Sequence, residues 1–233
     1  MQIRNGLVAR CFFKNNSITG TFGGAIIMIN AVVEDCIFIG NSAGLGGGAI
    51  DAYGGTVRRC LFTQSDGGPG SAITVNGGLL VEHCTFVENC GSPVIGVESG
   101  SLSITNSIIA FNAGIDSPIG QVDFPPWRQN GGKGDWITTI SCMDIFGNDG
   151  GDWVGDIAQY FDQDGNISAN PLFCDYKSLG YCVDSGGTFT LFANSPCAPA
   201  HSGSCGLIGA YGVGCEPSSV EAKSWGRIKV LYR

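Results

Sequence analysis

The chain has 233 residues, of which 38 are glycine, 14% are charged and 43% are hydrophobic. This apolar share can form a folded core, which excludes a disordered chain, and the glycines favour short strands and tight turns over a helical bundle. The formal net charge of −8 argues against sequence-independent binding to nucleic acid or anionic lipid, because both require positive potential.

The first segment, MQIRNGLVARC, lacks the apolar stretch of a secretory signal and begins almost at once with a strand-like pattern. We therefore expect the chain to be a fragment of a longer precursor. No run of about 18 apolar residues occurs, so no transmembrane segment is expected.

A repeat of about 24 residues occupies the first half of the chain. Its clearest marker is a cysteine that recurs at intervals of 25, 24 and 24 residues, with a serine in the next copy. The markers are Cys11, Cys36, Cys60, Cys84 and Ser107. Three positions before them stand Val8, Val33, Val57, Val81 and Ile104, and two positions after them Phe13, Phe38, Phe62, Phe86 and Ile109. Five positions after them stand Asn16, Asn41, Ser65, Asn89 and Asn112.

A fixed period of this length is typical of a solenoid. The marker and the apolar residue two positions later point to the same side of a strand, whereas the aliphatic residue at the odd offset requires a sharp bend. Three strands and three bends per copy predict an all-β fold, a single-stranded parallel β-helix in which equivalent residues stack in ladders. The periodic cysteines are expected to be buried free thiols, although disulfides between neighbouring coils stay open.

Residues 40 to 44, GNSAG, match the G-x-S-x-G motif of serine hydrolases. A nucleophile in that motif needs a helix after it, but the following Leu-Gly-Gly-Gly breaks helices. Ser42 also occupies the turn position of the repeat. We therefore expect Ser42 to be a turn residue.

The repeat elements FIGN, FVEN, FGGAI and GGGAI resemble those of polymorphic outer-membrane-protein-like β-helix proteins of bacterial surfaces. The stretch from NISANPLFCD to GLIGAYGVGC resembles the closing segment of secreted bacterial β-helix proteins. The resemblance implies a right-handed helix and an extracellular or cell-surface, adhesin-like protein. The repeat period predicts roughly six to seven coils.

The charged residues on the repeats are expected to face outward. They are Glu34, Asp35, Arg58, Arg59, Glu82 and Glu88. Coil stacking would place Glu34 near Arg58 and Arg58 near Glu82, which indicates paired surface charges. The two histidines, His83 and His201, are too few and too far apart in sequence to indicate a zinc site.

Two insertions break the repeat, at about 113–139 and 149–166, within a β-helix region predicted to span residues 1–173. Loops that project from a solenoid often bind ligands, and aromatic side chains can stack on sugar rings. The candidate glycan-binding residues are Trp127, Arg128, Trp136, Trp153 and Tyr160. The alternative is that these aromatics cover the edge of a coil.

Calcium is the only cofactor that the sequence suggests. Asp162, Asp164 and Asn166 place oxygen atoms at alternate positions, as in calcium loops. An EF-hand starting at Asp162 fails, because Ile167 and Phe173 stand where Gly and Glu are required. An Asx turn is the alternative.

The cysteine-rich segment 174–216 is predicted to be a disulfide-bearing cap over the end of the solenoid, followed by a basic tail at 217–233 that could serve in sorting or anchoring. Its five cysteines allow two disulfides. The local choices are Cys174 with Cys182 and Cys197 with Cys205, although the sequence leaves the connectivity open.

Three functions stay open on the sequence. The first is a non-catalytic surface protein that binds glycans or another cell-surface polymer through the insertions. The second is a polysaccharide lyase or glycoside hydrolase that uses carboxylates on the insertion face. The third is a structural spacer of a larger surface protein. Self-association through an open N-terminal coil is a further expectation.

Overall fold

The structure, a computed structural model, describes residues 1–20, 22–91, 93–122, 136–177 and 187–215. It is a mostly β, parallel solenoid of about eight turns, which confirms the predicted fold class. The predicted six to seven turns were too few. Beyond Ile109 the repeat loses its cysteine marker, because Met143 and Asn166 take that position and the insertions disturb the period.

The described residues contain 21 strands and two short 3₁₀ helices. In chain order the strands are β1 (Gln2–Arg4), β2 (Leu7–Ala9), β3 (Phe12–Lys14), β4 (Ser17–Ile18), β5 (Ile26–Glu34), β6 (Ile37–Ile39), β7 (Ser42–Ala43), β8 (Ile50–Arg58), β9 (Leu61–Thr63), β10 (Asp66–Gly67), β11 (Ile73–Val75), β12 (Gly78–Glu82), β13 (Thr85–Val87), β14 (Ile95–Val97), β15 (Ser101–Thr105), β16 (Ile108–Ala110), β17 (Ile119–Gln121), β18 (Ile137–Ser141), β19 (Asp144–Phe146), β20 (Leu191–Phe192) and β21 (Val213–Cys215). The 3₁₀ helices span Gly155–Tyr160 and Gly203–Cys205.

Every pairing between these strands is parallel, and each strand pairs with its counterpart in the next turn. A ten-stranded sheet contains the path β17-β14-β11-β8-β12-β15-β18, with β5 joined to β8 and both β1 and β2 joined to β5. A six-stranded sheet has the order β19-β16-β13-β9-β6-β3, and a three-stranded sheet the order β10-β7-β4. Strands β20 and β21 form a separate pair.

Aromatic rings form a ladder inside the solenoid, as the repeat predicted. The rings of Phe13, Phe38, Phe62 and Phe86 stack with centroids 4.9, 4.7 and 4.7 Å apart. This distance matches the spacing between neighbouring strands, about 4.8 Å, so strand pairing and ring stacking reinforce each other. Phe38, Phe62 and Phe86 are fully buried, and the burial of each ring contributes roughly 1.5–3 kcal/mol.

Asparagines form a second ladder at the bend that follows each aromatic position. The Oδ1 atom of Asn89 accepts a hydrogen bond from the Ser65 backbone N–H at 3.0 Å, and its Nδ2 group donates to the Phe62 carbonyl at 3.1 Å. Asn112 repeats the pattern one turn later, with the Asn89 N–H as donor. Each side chain thus satisfies backbone groups of the preceding turn that would otherwise be buried without partners.

The cysteine column is buried, and its described thiols are free. Cys36, Cys60 and Cys84 are fully buried and unpaired as disulfides, while Cys11 in the first turn is exposed and also free. The pKa of the Cys36 thiol is raised chiefly by its hydrogen bond with Cys60, and the pKa of the Cys60 thiol is raised chiefly by burial. The Cys36 and Cys60 thiols therefore stay protonated. The three buried cysteines act as small hydrophobic residues, as predicted, whereas the exposed Cys11 does not fit that prediction.

The sharp bend before each cysteine position is made by one residue in the left-handed region. Its φ values lie between 49° and 54° at Arg10, Asp35, Arg59, His83, Asn106 and Cys142. A non-glycine residue in this conformation costs about 1–2 kcal/mol, so the stacked contacts on both sides must hold it there. This bend is the one that the odd spacing of the repeat required.

Three details of the surface differ from expectation. Ser42 lies in the short strand β7, paired with Ser17 and Asp66, rather than in a turn. Glu88 is 1% exposed and does not face outward. The strand register places Arg58 between Glu34 and Glu82, as expected. Its guanidinium pairs with Glu34 at 2.7 Å, but in the described residues it makes no ion pair with Glu82.

The C-terminal segment lies along the side of the solenoid, whereas a cap over its end was expected. The Asn106 side chain donates to the Cys205 carbonyl at 2.7 Å, and the Ala210 N–H donates to the Thr85 hydroxyl at 3.0 Å. Residues of the segment also pack on the outer face of the six-stranded sheet. This second apolar cluster includes Leu61, Val87, Ile108, Ala110, Phe173, Phe189, Leu191, Cys197 and Ile208.

Two disulfides join Cys142 to Cys205 and Cys174 to Cys215. The prediction of disulfides near the C-terminus is confirmed, but both local pairings were wrong. Cys197 is a buried free thiol, and Cys90 is also disulfide-bonded. Because the segment runs beside earlier turns, Cys205 meets Cys142, which lies 63 residues earlier. The other disulfide lies within the segment and joins its two ends, which are 41 residues apart.

The remaining boundary predictions are only partly covered. Within the first insertion, β17 and β18 belong to the ten-stranded sheet, and residues 123–135 lie outside the described residues. The basic tail at 217–233 also lies outside them. In the described ranges, none of the helices has the length and apolar character needed to span a bilayer.

The strands of the first turn are edge strands within the described part of the chain. In the described part of the chain, β1, β2 and β3 pair on one side only, and Leu7 and Phe12 are 58% and 59% exposed. Self-association through this edge stays a prediction.

The asparagine ladder is interrupted at Ser65, and this gives a test of its contribution. The Ser65 hydroxyl is buried with no hydrogen-bond partner in the described residues. Ser65→Asn should supply the missing amide and raise the free energy of unfolding by about 1 kcal/mol, whereas Asn89→Ser should lower it by about 1–3 kcal/mol. Urea unfolding would measure both. A loss in Ser65→Asn together with no change in Asn89→Ser would contradict the ladder.

Peptide mapping without reductant tests the C-terminal packing. We expect linked peptides containing Cys142 with Cys205 and Cys174 with Cys215, and alkylation of Cys197 only after unfolding, because that thiol is buried. A peptide linking Cys197 to Cys205 would show instead that the segment folds locally.

Candidate ligand-binding cleft

A cleft of about 660 Å³ opens between the start of β18 and the Gly155–Tyr160 helix. Its lining residues are Trp136, Ile137, Gly155, Asp156, Ala158, Gln159 and Tyr160. A volume of this size can hold a small ligand or a few sugar units. The cleft therefore combines two aromatic side chains with a carboxylate and an amide.

Trp136 is held in place by the solenoid. Its carbonyl accepts a hydrogen bond from the Leu102 N–H at 2.7 Å, which joins it to the preceding turn. The side chain is 9% exposed and packs against the main core. The floor of the cleft is thus fixed by the same stacking that builds the solenoid.

The wall of the cleft is the 3₁₀ helix, which one side chain anchors. Ile157 is completely buried in the main core, whereas Asp156 and Gln159 on the same helix are exposed. Tyr160 is half-buried, and its carbonyl accepts a hydrogen bond from the Asn166 amide at 2.9 Å. Gly155 begins the helix with φ of 62°, a conformation that favours glycine.

The structure brings together two of the five predicted glycan-binding residues. Trp136 and Tyr160 both line the cleft. Trp153 is half-buried, donates from Nε1 to the Ile167 carbonyl at 3.0 Å, and packs against the core. Trp127 and Arg128 lie outside the described residues. Sequence reasoning counted Asp156 only as one of several carboxylates in the second insertion, and it missed Gln159, which carries no signal beyond its place there.

The calcium candidates have separate environments. Asp162 and Asp164 are exposed, whereas Asn166 is 2% exposed and stands in the cysteine column. The Oδ1 atom of Asn166 accepts a hydrogen bond from the Met143 N–H at 3.0 Å. Among the described residues, no three His, Cys, Asp or Glu side chains lie close enough together to hold a metal ion.

Asp152 ends the asparagine ladder. Its Oδ1 atom accepts hydrogen bonds from the N–H and the amide of Asn148, at 2.9 and 3.0 Å, and its Oδ2 atom accepts one from the Gly147 N–H. The Asp152 carboxylate is therefore used in hydrogen bonds that stabilise the fold, and it does not line the cleft.

Asp144 lies buried where the C-terminal segment meets β19. Its Oδ1 atom accepts a hydrogen bond from the Ala169 N–H, and its Oδ2 atom accepts one from the Cys197 thiol at 3.0 Å. Burial raises the pKa of Asp144 to about 7, and burial also raises the pKa of Cys197. The pair is inaccessible, so it fastens the segment rather than reacting with a ligand.

The chain matches no protein-family model, no curated protein and no solved structure. The function of the cleft must therefore be judged from its own chemistry. Asp156 is the only carboxylate among the described lining residues. A glycosidase needs two carboxyl groups about 5–9.5 Å apart on either side of the bond that it cleaves.

The raised pKa of Asp144 predicts how stability changes with pH. Between about pH 4 and pH 7 the folded chain binds this proton more tightly than the unfolded chain, so the free energy of unfolding contributed by Asp144 falls as pH rises. Asp144→Asn removes this dependence. We expect the stability of the natural chain relative to the variant to fall through that window and to level off above it, as measured by urea unfolding.

Asp149→Asn, at an exposed position, serves as the control and should leave the pH profile of the natural chain unchanged. A constant difference between the natural chain and Asp144→Asn across the whole range would mean that Asp144 has an ordinary pKa.

Proposed function

We propose that this chain is a non-catalytic, adhesin-like surface protein that binds glycans in the cleft between β18 and the Gly155–Tyr160 helix. The observation that carries the proposal is the meeting of Trp136 and Tyr160 with Asp156 and Gln159 around one open volume. The half-buried ring of Tyr160 offers an apolar surface to a sugar ring, and the buried Trp136 forms the floor beside it. The exposed carboxylate and amide can accept hydrogen bonds from sugar hydroxyls, and the amide can also donate them.

The fixed geometry of the cleft supports recognition of a ligand. Trp136 is tied to β15 through the Leu102 N–H, and Ile157 anchors the opposite wall. A site that is formed before the ligand arrives loses less conformational entropy on binding. The exposed side chains of Asp156 and Gln159 are therefore presented on a rigid support.

Two features support a place outside the cell. The disulfides Cys142–Cys205 and Cys174–Cys215 favour an oxidising compartment, since such bonds are rare in the cytosol. The F-x-x-N and G-G-A-I elements resemble those of bacterial surface β-helix proteins. We propose an extracellular or cell-surface location on this basis.

A glycan array tests the proposal. We expect the natural chain to bind at least one class of glycan, and Asp156→Ala/Gln159→Ala to lose about tenfold or more in affinity, because both polar contacts disappear. Asp149→Ala is the matched control, because Asp149 is exposed on the same insertion but does not line the cleft.

Binding that survives in Asp156→Ala/Gln159→Ala would place the site elsewhere, and no binding to any glycan would refute the proposal. An assay for new reducing ends, run with every glycan that binds, should stay at background. Release of sugars would show an enzyme instead.

A further inference from the structure

The stretch that forms the cleft carries a single sign of charge. Residues 136–166 contain aspartates but no lysine, arginine or histidine. The aspartates are Asp144, Asp149, Asp152, Asp156, Asp162 and Asp164. Potential of one sign concentrates ligands of the opposite charge and repels those of the same charge.

These aspartates differ in how far the fold uses them. Asp144 is buried against Cys197, and Asp152 is bonded to the end of the asparagine ladder. Asp149, Asp162 and Asp164 are exposed beyond the lining of the cleft. Asp156 is exposed within the lining and makes no ion pair in the described residues.

We infer that the cleft selects glycans that carry protonated amines, that is, amino-sugar polymers without N-acetyl groups; this inference rests on the proposed function. Asp156 is the group that would contact the ammonium, and a charge-assisted hydrogen bond of this kind is about twice as strong as a neutral one. The half-buried ring of Tyr160, which lines the same cleft, adds a second attraction for a cation through the negative potential of its face.

The same charges disfavour acidic glycans. A uronic acid or sulfated sugar would bring its own negative charge beside Asp156, with no lysine or arginine among the described lining residues to offset the repulsion. The formal net charge of −8 adds to this effect at longer range. The cleft therefore binds cationic sugars most tightly, neutral sugars less tightly and acidic sugars least.

Calorimetric titration with three oligosaccharides of equal length tests the inference. The ligands are a glucosamine oligomer, its N-acetylated counterpart and a galacturonate oligomer, at about pH 5.5, where amines are protonated and carboxylates in general are ionised. We expect the glucosamine oligomer to bind about tenfold more tightly than the acetylated one and the galacturonate oligomer to bind least.

Asp156→Asn should remove the preference between the first two ligands, whereas Asp149→Asn should keep it. Equal binding of the glucosamine and acetylated oligomers to the natural chain, or tighter binding of galacturonate, would overturn the inference while leaving glycan binding intact. Absence of binding to all three oligomers and to the whole array would overturn both the inference and the proposed function.

Discussion

The structure depends on contacts between equivalent side chains of successive turns. A parallel solenoid makes three bends in every turn, and the backbone groups of those bends cannot all pair with other strands. Asn41, Asn89 and Asn112 accept and donate at the bend after the aromatic position, while Cys36, Cys60 and Cys84 accept or donate at the bend before it. The stacked phenylalanine rings fill the space between these two columns.

The later turns make the same kind of contact between successive turns, with different residues. Asn148 continues the asparagine column and Asp152 ends it, while Asn166 takes over the role of a cysteine. The insertion between Asp152 and Asn166 is thus fixed at both ends by ladder contacts. Ile157 anchors its middle in the core, which leaves Asp156 and Gln159 facing outward beside Trp136.

The repeat could be predicted because every ladder contact joins residues one period apart. The spacing of Phe38 and Phe62 in the sequence is therefore enough to predict that their rings stack. The C-terminal packing could not be predicted in this way. Cys142 meets Cys205, and Asp144 meets Cys197, only because a non-repetitive segment runs back along the six-stranded sheet. The cleft could be predicted only in part. Trp136 and Tyr160 can be recognised from the sequence as aromatic residues in insertions, but their proximity depends on the burial of Ile157.

Amide hydrogen exchange tests the central claim, that side-chain ladders hold the bends as firmly as backbone pairing holds the strands. The N–H groups of Ser65, Asn89 and Asn112 lie at bends and donate to asparagine side chains of the next turn. We predict that they exchange as slowly as the amides of β9, β13 and β16, through global unfolding alone. Exchange as fast as that of exposed turns would contradict the account.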